Sequence, residues 1–306
     1  MKKPIKIIIS LLIVLGLLAF IYWLWQRQPK GISEPSQKPS PQNQIVETKQ
    51  EDITISASPE NGKILDSPDA TLTIKTTPGI YVAIFSNSFA HVAKTDAAGL
   101  LQQDAKLENG LNLIQVSAFT NDLEKRVDKK IVLYVKSTKN PTSAKTVTAG
   151  LVKNIFQKVI TLSTDSGEKK VSQEKTTKVN YPSPAPGTKS KDNQSIRVGD
   201  FLAVLGDNNS NDEISAQSID IFRENKPQIS KDIQIVKLLS SVKNNLFSAR
   251  VEQDNQIIDL SISKDSQISK DSQSTKQDEI KKDKKSFVIF HTDKDQKIVD
   301  LIYLLP

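Results

Sequence analysis

The sequence predicts a mainly β protein carried on one N-terminal transmembrane helix. Three observations point there. A 19-residue uncharged apolar run lies close to the N-terminus, short apolar/polar alternations recur from residue 52 onward, and Gly, Pro, Asn and Asp separate those alternations. The expected division is a cytoplasmic n-region (1–6), a transmembrane signal anchor (7–25), a linker (26–51), a β-sandwich (52–136), a second linker (137–146) and two further small β domains (147–225 and 226–306).

Residues 7–25, IIISLLIVLGLLAFIYWLW, contain no charge, and only Ser10 and Gly16 dilute their apolarity. As a helix they would span about 28 Å, close to the hydrocarbon thickness of a bilayer. A cleaved signal peptide has a shorter apolar region ending in small residues, whereas this run ends in Tyr22, Trp23 and Trp25, which suit the membrane interface. An uncleaved anchor is therefore expected. Lys2, Lys3 and Lys6 precede it, against Arg27 and Lys30 after it, so the N-terminus is expected in the cytoplasm and the bulk of the chain outside. The next stretch has Pro29, Pro35, Pro39 and Pro41 among Ser, Gln and Lys, the composition of an extended stalk.

The charge balance excludes little but points away from polyanions. Without the three N-terminal lysines the chain carries 39 Lys+Arg against 35 Asp+Glu. The one lysine-rich segment, 276–285, is interleaved with Asp278, Glu279 and Asp283 and has no aromatic on which a base could stack. Nucleic acid is not expected as a partner. Absence of cysteine excludes disulfides, thiolate metal sites and a cysteine nucleophile.

Between residues 52 and 136 alternating runs recur every 10 to 15 residues, the spacing of a β-sandwich. Ile53 and Ile55, Leu72 and Ile74, Val82 and Ile84, and Ile114, Val116 and Ala118 each place apolar side chains on one face. Glycine turns follow Asn61, Pro78 and Asn109. The segment KTDAAGLLQQDAKLENGLNLIQVSA then matters as a whole. Through Thr95, Asp96, Gly99, Leu107, Gly110, Asn112, Ile114, Val116 and Ala118 it resembles the bacterial Ig-like modules related to the glucodextranase B-domain. The resemblance implies an Ig-like β-sandwich acting as a spacer, adhesive unit or accessory domain of a surface protein, with no catalytic pattern to carry over.

Downstream, Val198, Gly199, Asp200, Gly206, Ile214, Ala216 and Ile219 resemble a family of small bacterial barrel-like repeats, which implies an OB-like barrel. The last segment reads as a second copy. Val159, Gly167 and Val171 fall against Leu246, Asp254 and Ile258 at an offset of 87, Phe201 against Phe287 at 86, and Ile214, Ala216 and Ile219 against Val299, Leu301 and Leu304 at 85. The second copy lacks the V-G-D turn. Both copies carry a polar insertion at one place, 180–195 and 263–286, and both insertions are expected to be exposed and mobile.

No glycine-rich phosphate loop is present. His91 lies in an alternating run and His291 ends the strand FVIF, and neither sits in a nucleophile, metal or orienter motif. The string Asp207–Asp212 has turn composition and lacks the spacing of a calcium loop. Tyr81, Phe85, Phe89 and Phe119 are read as core or edge packing rather than a sugar platform. No catalytic, cofactor-binding or metal-ligating residue is nominated, and no cofactor. The expected function is that of a membrane-anchored structural or interaction protein of the cell envelope with an extended ectodomain and an envelope protein or glycan as partner. The alternatives are a carbohydrate- or peptidoglycan-binding module and, behind it, an unrecognised envelope hydrolase.

Overall fold

Strands dominate the computed structural model, which describes residues 53–137, 142–181, 195–209, 213–223, 227–271 and 273–306. The expected anchor and stalk lie outside the described residues, and among those described no helix is long and apolar enough to cross a membrane.

The first eight strands form a sandwich. One sheet holds β1 (Ser56–Ser58), β3 (Asp69–Lys75) and β6 (Leu100–Lys106). The other holds β2 (Lys63–Leu65), β8 (Arg126–Val135), β7 (Gly110–Phe119), β4 (Tyr81–Phe85) and β5 (Ala90–Lys94). Period-two alternation turns Leu72, Ile74, Val82, Ile84, Ile114, Val116, Ile131 and Leu133 into one core between them. The Asp96 carboxylate accepts from the backbone N–H of Ala98 and Leu100, both at 2.8 Å, and closes the turn before β6. Gly99 completes that turn at φ +76°, where an added Cβ would lie 2.0 Å from the Thr76 carbonyl oxygen, so no other residue fits. Asn112 pins the β6–β7 turn, accepting from Glu108 N–H at 2.9 Å and donating to Glu108 O at 2.7 Å.

Two five-stranded barrels follow. The first contains β9 (Thr146–Phe156), β10 (Val159–Thr164), β11 (Gly167–Asn180), β12 (Phe201–Asn208) and β13 (Glu213–Phe222). The second contains β14 (Lys231–Leu238), β15 (Leu246–Val251), β16 (Ile257–Lys270), β18 (Lys285–Asp293) and β19 (Gln296–Leu304), with the two-residue β17 (Gln273–Ser274) paired to the end of β16. Counting strands one to five within each, both run 1-2-3-5-4 and close by pairing strand 1 with strand 4, and in both the third and fifth strands are parallel. This is the connectivity of an OB-like barrel.

The two barrels agree below the level of strand order. In each the third strand sets four residues, 174–177 and 263–266, against one residue of the fifth strand, where the register between them shifts. Inside both bulges a hydroxyl makes the same pair of bonds. Thr177 Oγ1 accepts from Glu174 N–H and donates to Ala216 O, and Ser266 Oγ accepts from Ser263 N–H and donates to Val299 O. The fourth and fifth strands shift register at matching places too, skipping Gln217 in one and Asp300 in the other.

That registration corrects the offsets expected from sequence. Val171 matches Leu260 rather than Ile258, Ala203 rather than Phe201 matches Phe287, and Ile219 matches Ile302 rather than Leu304. Each error is two residues. A strand shifted by two keeps the same side chains on the same face, so an apolar pattern cannot detect the slip.

A second correction concerns the insertion 263–286. It is not a mobile loop: its first half is the continuation of β16, paired from Gln267 to Lys270 with Leu301 to Leu304 of β19. Ile268 is buried there, and a short 3-10 turn at Gln277–Glu279 delivers Ile280 into the same core. Two isoleucines in a polar run are enough to anchor it. The first insertion from 182 to 194 lies outside the described residues, although Asn180, expected at its start, ends β11.

Candidate functional site

The sandwich sheet β2-β8-β7-β4-β5 carries apolar residues on both faces. Its inner face forms the sandwich core, and its outer face carries Tyr81, Ala83, Phe85 and Phe119 at one end and Tyr134, Leu111 and Val132 toward the other. Both outer patches are covered. The second barrel lays Ile233, Phe287, Ile289, Leu301 and Tyr303 over the first patch, with the Phe287 ring 4.8 Å from Phe119 and 5.3 Å from Tyr81. The first barrel lays Val147 and Leu205 against Tyr134, and its β9 joins the sheet edge where Thr146 pairs with Lys63. By the matched registers Val147 is the counterpart of Ile233 and Leu205 of Ile289. Both barrels therefore dock through the same face, built on their first and fourth strands.

This geometry decides the role of the aromatics. A row of rings on one sheet does exist, but Tyr81, Phe85 and Phe119 are 5%, 1% and 2% exposed beneath the second barrel. They are packing groups, as the sequence suggested, while Phe89 packs against the sandwich core. Burial raises the Tyr81 hydroxyl pKa, with the nearby Asp271 charge adding to it. The expected extended arrangement is corrected by the same contacts, since the second barrel returns to the sandwich rather than trailing from the first. Polar contacts seat it. Asn87 Nδ2 donates to Gln228 O at 3.0 Å, Ser230 N–H donates to Asn87 Oδ1 at 2.8 Å, and Arg126 donates to Ile233 O at 3.2 Å.

Docking a convex barrel on a twisted sheet leaves clefts beside the contact. One, of 460 Å³, lies where both barrels meet the sandwich, and it is walled by the outer side chains of β7 and β8, by β9 with the β10–β11 turn, and by residues 227–231. A second, of 640 Å³, lies between the β7–β8 turn and the second barrel. They are related positions. Leu151 and Asp165 line the first, and Ile235 and Glu252 line the second, from equivalent strand and turn segments of the two barrels. In each the acidic turn residue meets a lysine: Asp165 with Lys130 at 3.7 Å, Glu252 with Lys285 at 3.0 Å.

The residues singled out in the sequence are not gathered in either cleft. His91 is in β5, half-buried, and burial lowers its pKa, so it is neutral at pH 7. His291 is in β18, which continues to Asp293 rather than ending at His291. Its Nδ1 lies 2.9 Å from Asp300, whose other oxygen is 3.2 Å from Lys231 Nζ. Gln217, the counterpart of Asp300, makes the corresponding bond to Asp207 at 2.8 Å, so the pair belongs to barrel architecture. Asp207 and Asn208 are strand residues rather than part of a free loop, and residues 210–212 lie outside the described residues. Lysines of the segment 276–285 face carboxylates, Lys281 with Glu279 at 3.9 Å and Lys285 with Glu252 at 3.0 Å. Among the described residues no group of three or more His, Asp or Glu could hold a metal. The V-G-D turn holds the barrel together, because its buried Asp200 accepts from Arg197 N–H at 2.8 Å and pairs with Arg223 at 3.0 Å. Sequence reasoning missed the cleft residues Gln115, Lys130, Asp165 and Gln228, which come from separate modules and share no motif.

No protein-family model and no characterised protein matches the chain. Among solved structures it is similar to a Parabacteroides merdae β-glucuronidase, with a TM-score of 0.27 and 12% identity over 69% of this chain and 24% of that one. It is also similar to a drosophila Unr structure comprising CSD456, with a TM-score of 0.22 and 8% identity over 75% of this chain and 98% of that one. The chain thus spans about a quarter of the glucuronidase's length. Neither likeness carries an argument about its activity.

Proposed function

We propose that this chain is a membrane-anchored structural or interaction protein of the cell envelope, in which an Ig-like sandwich and a duplicated OB-like barrel are held outside the membrane by the helix 7–25. The observation that carries the reading is the use of the sandwich sheet. Its inner face is buried in its own core, and two apolar patches of its outer face are covered by two barrels that dock alike. Such an arrangement uses its large apolar surfaces to weld three modules into one body. The clefts left beside the contacts support a second reading, a carbohydrate-binding module, because they combine polar groups with apolar walls.

Fractionation combined with protease shaving of intact spheroplasts tests the main reading. The full chain is expected in the membrane fraction and accessible to external protease, and removal of residues 7–25 should release it. A protease-protected chain in the soluble cytoplasmic fraction would refute both anchor and topology.

A further inference from the structure

We propose that the 460 Å³ cleft at the junction of the three modules is a binding site for a neutral pyranose saccharide of one or two rings. This rests on the envelope reading for where such a ligand would be met. The size lies within the range of about 300–1,000 Å³ typical of small-molecule sites, which form preferentially between domains. The lining fits the chemistry of a sugar. Gln115 and Gln228 present amides and Ser163 a hydroxyl, groups that both donate and accept and so match ring hydroxyls, which do the same. Among the described residues the Gln228 amide and the Ser163 hydroxyl have no hydrogen-bond partner to give up.

Charge argues against an anion. Lys130 and Asp165 offset each other at 3.7 Å, and the second lysine in the wall, Lys231, is 8% exposed and committed to Asp300. A phosphate would find no uncompensated cation there. Apolar side chains stand beside these polar ones on both walls, Leu113 and Val132 next to Gln115 and Lys130 on the sandwich sheet and Leu151 paired with Ser163 in the barrel, and they offer contact to the C–H face of a pyranose ring. Leu151 keeps 38% of its surface exposed on the barrel wall. Position is fixed in advance: Asn87 holds residues 228–230 by two backbone hydrogen bonds, so Gln228 enters from an ordered segment. The larger cleft is less suited, because its rim carries Asp122, Glu124 and Glu252 against Arg126 and Lys285, and both cations are already paired.

Saturation-transfer difference NMR on the full chain in lipid nanodiscs tests this, with cellobiose and N,N′-diacetylchitobiose as probes. Transfer from at least one is expected, with a Kd of about 1 mM. A response to chitobiose alone would identify an N-acetylhexosamine ligand, and a response to both a ligand read through its ring hydroxyls. The double variant Gln115→Ala/Gln228→Ala should weaken binding at least tenfold, and Leu151→Arg, which fills the cleft from an exposed position, should abolish it. Gln253→Ala in the other cleft should change nothing. No transfer from either probe, or unchanged binding in both cleft variants, would overturn the assignment while leaving the fractionation result standing.

Discussion

His91 shows how one residue's surroundings set a measurable property. It sits in β5 opposite Ile84, and burial lowers its pKa below the ordinary value. As pH falls below about 6.5 the unfolded chain takes up a proton that the folded chain refuses, so protons favour unfolding between that pH and the lower folded value. The unfolding temperature should therefore fall on going from pH 7 toward pH 5, and His91→Gln should flatten that fall. Parallel pH profiles in the two proteins would mean that His91 contributes nothing to it. Gly62 carries a different constraint. Its φ is +87°, an added Cβ would lie 2.9 Å from Val147 O, and its own carbonyl accepts from Val147 N–H at 2.8 Å, so the first barrel approaches the sandwich across a residue that only glycine supplies. The turn composition around Asn61-Gly62 was legible in the sequence, but not that a barrel strand passes against it.

Among the elements, β16 departs furthest from its sequence pattern. SKDSQISK, from residue 263, reads as a polar loop because Ile268 alone interrupts it, and a bulge separates that residue from Ile262, the last apolar residue before it. The bulge breaks the period-two count by which a strand is recognised. Tertiary pairing with β19 supplies what the pattern lacks. Limited trypsin digestion should accordingly spare Lys270, which pairs with Leu304 of β19 although its side chain is exposed. Early cleavage after Lys270 would show that this half of β16 is not held in the barrel. The sandwich strands were legible for the opposite reason: β4 and β7 place Val82, Ile84, Ile114 and Val116 at strict alternation, so one face declares itself.

At the scale of the whole molecule, the apolar patch shared by sandwich and second barrel governs behaviour. Phe287 is fully buried there among Tyr81, Phe119 and Tyr303, and Phe287→Ala should cost about 3–5 kcal/mol. Removing residues 227–306 should expose Tyr81, Phe85 and Phe119 together, and the shortened chain should bind a hydrophobic dye and self-associate where the full chain does not. A shortened chain that stays monomeric and dye-free would show that the second barrel is not a required cover. The sequence by itself determined the β class, the inward faces of the sandwich, the glycine turns at Gly62, Gly79 and Gly110, and the presence of two similar segments. All of these depend on neighbours close along the chain or on period-two alternation, which a single chain displays. Tertiary structure alone decided the register of the second barrel, the ordering of 263–286, the covering of the aromatic row and the meeting of Gln115, Asp165 and Gln228 in one cleft. Those depend on which surfaces remain apolar after each module has folded, and an outward-facing ring reads the same in sequence whether water or a neighbouring barrel lies against it.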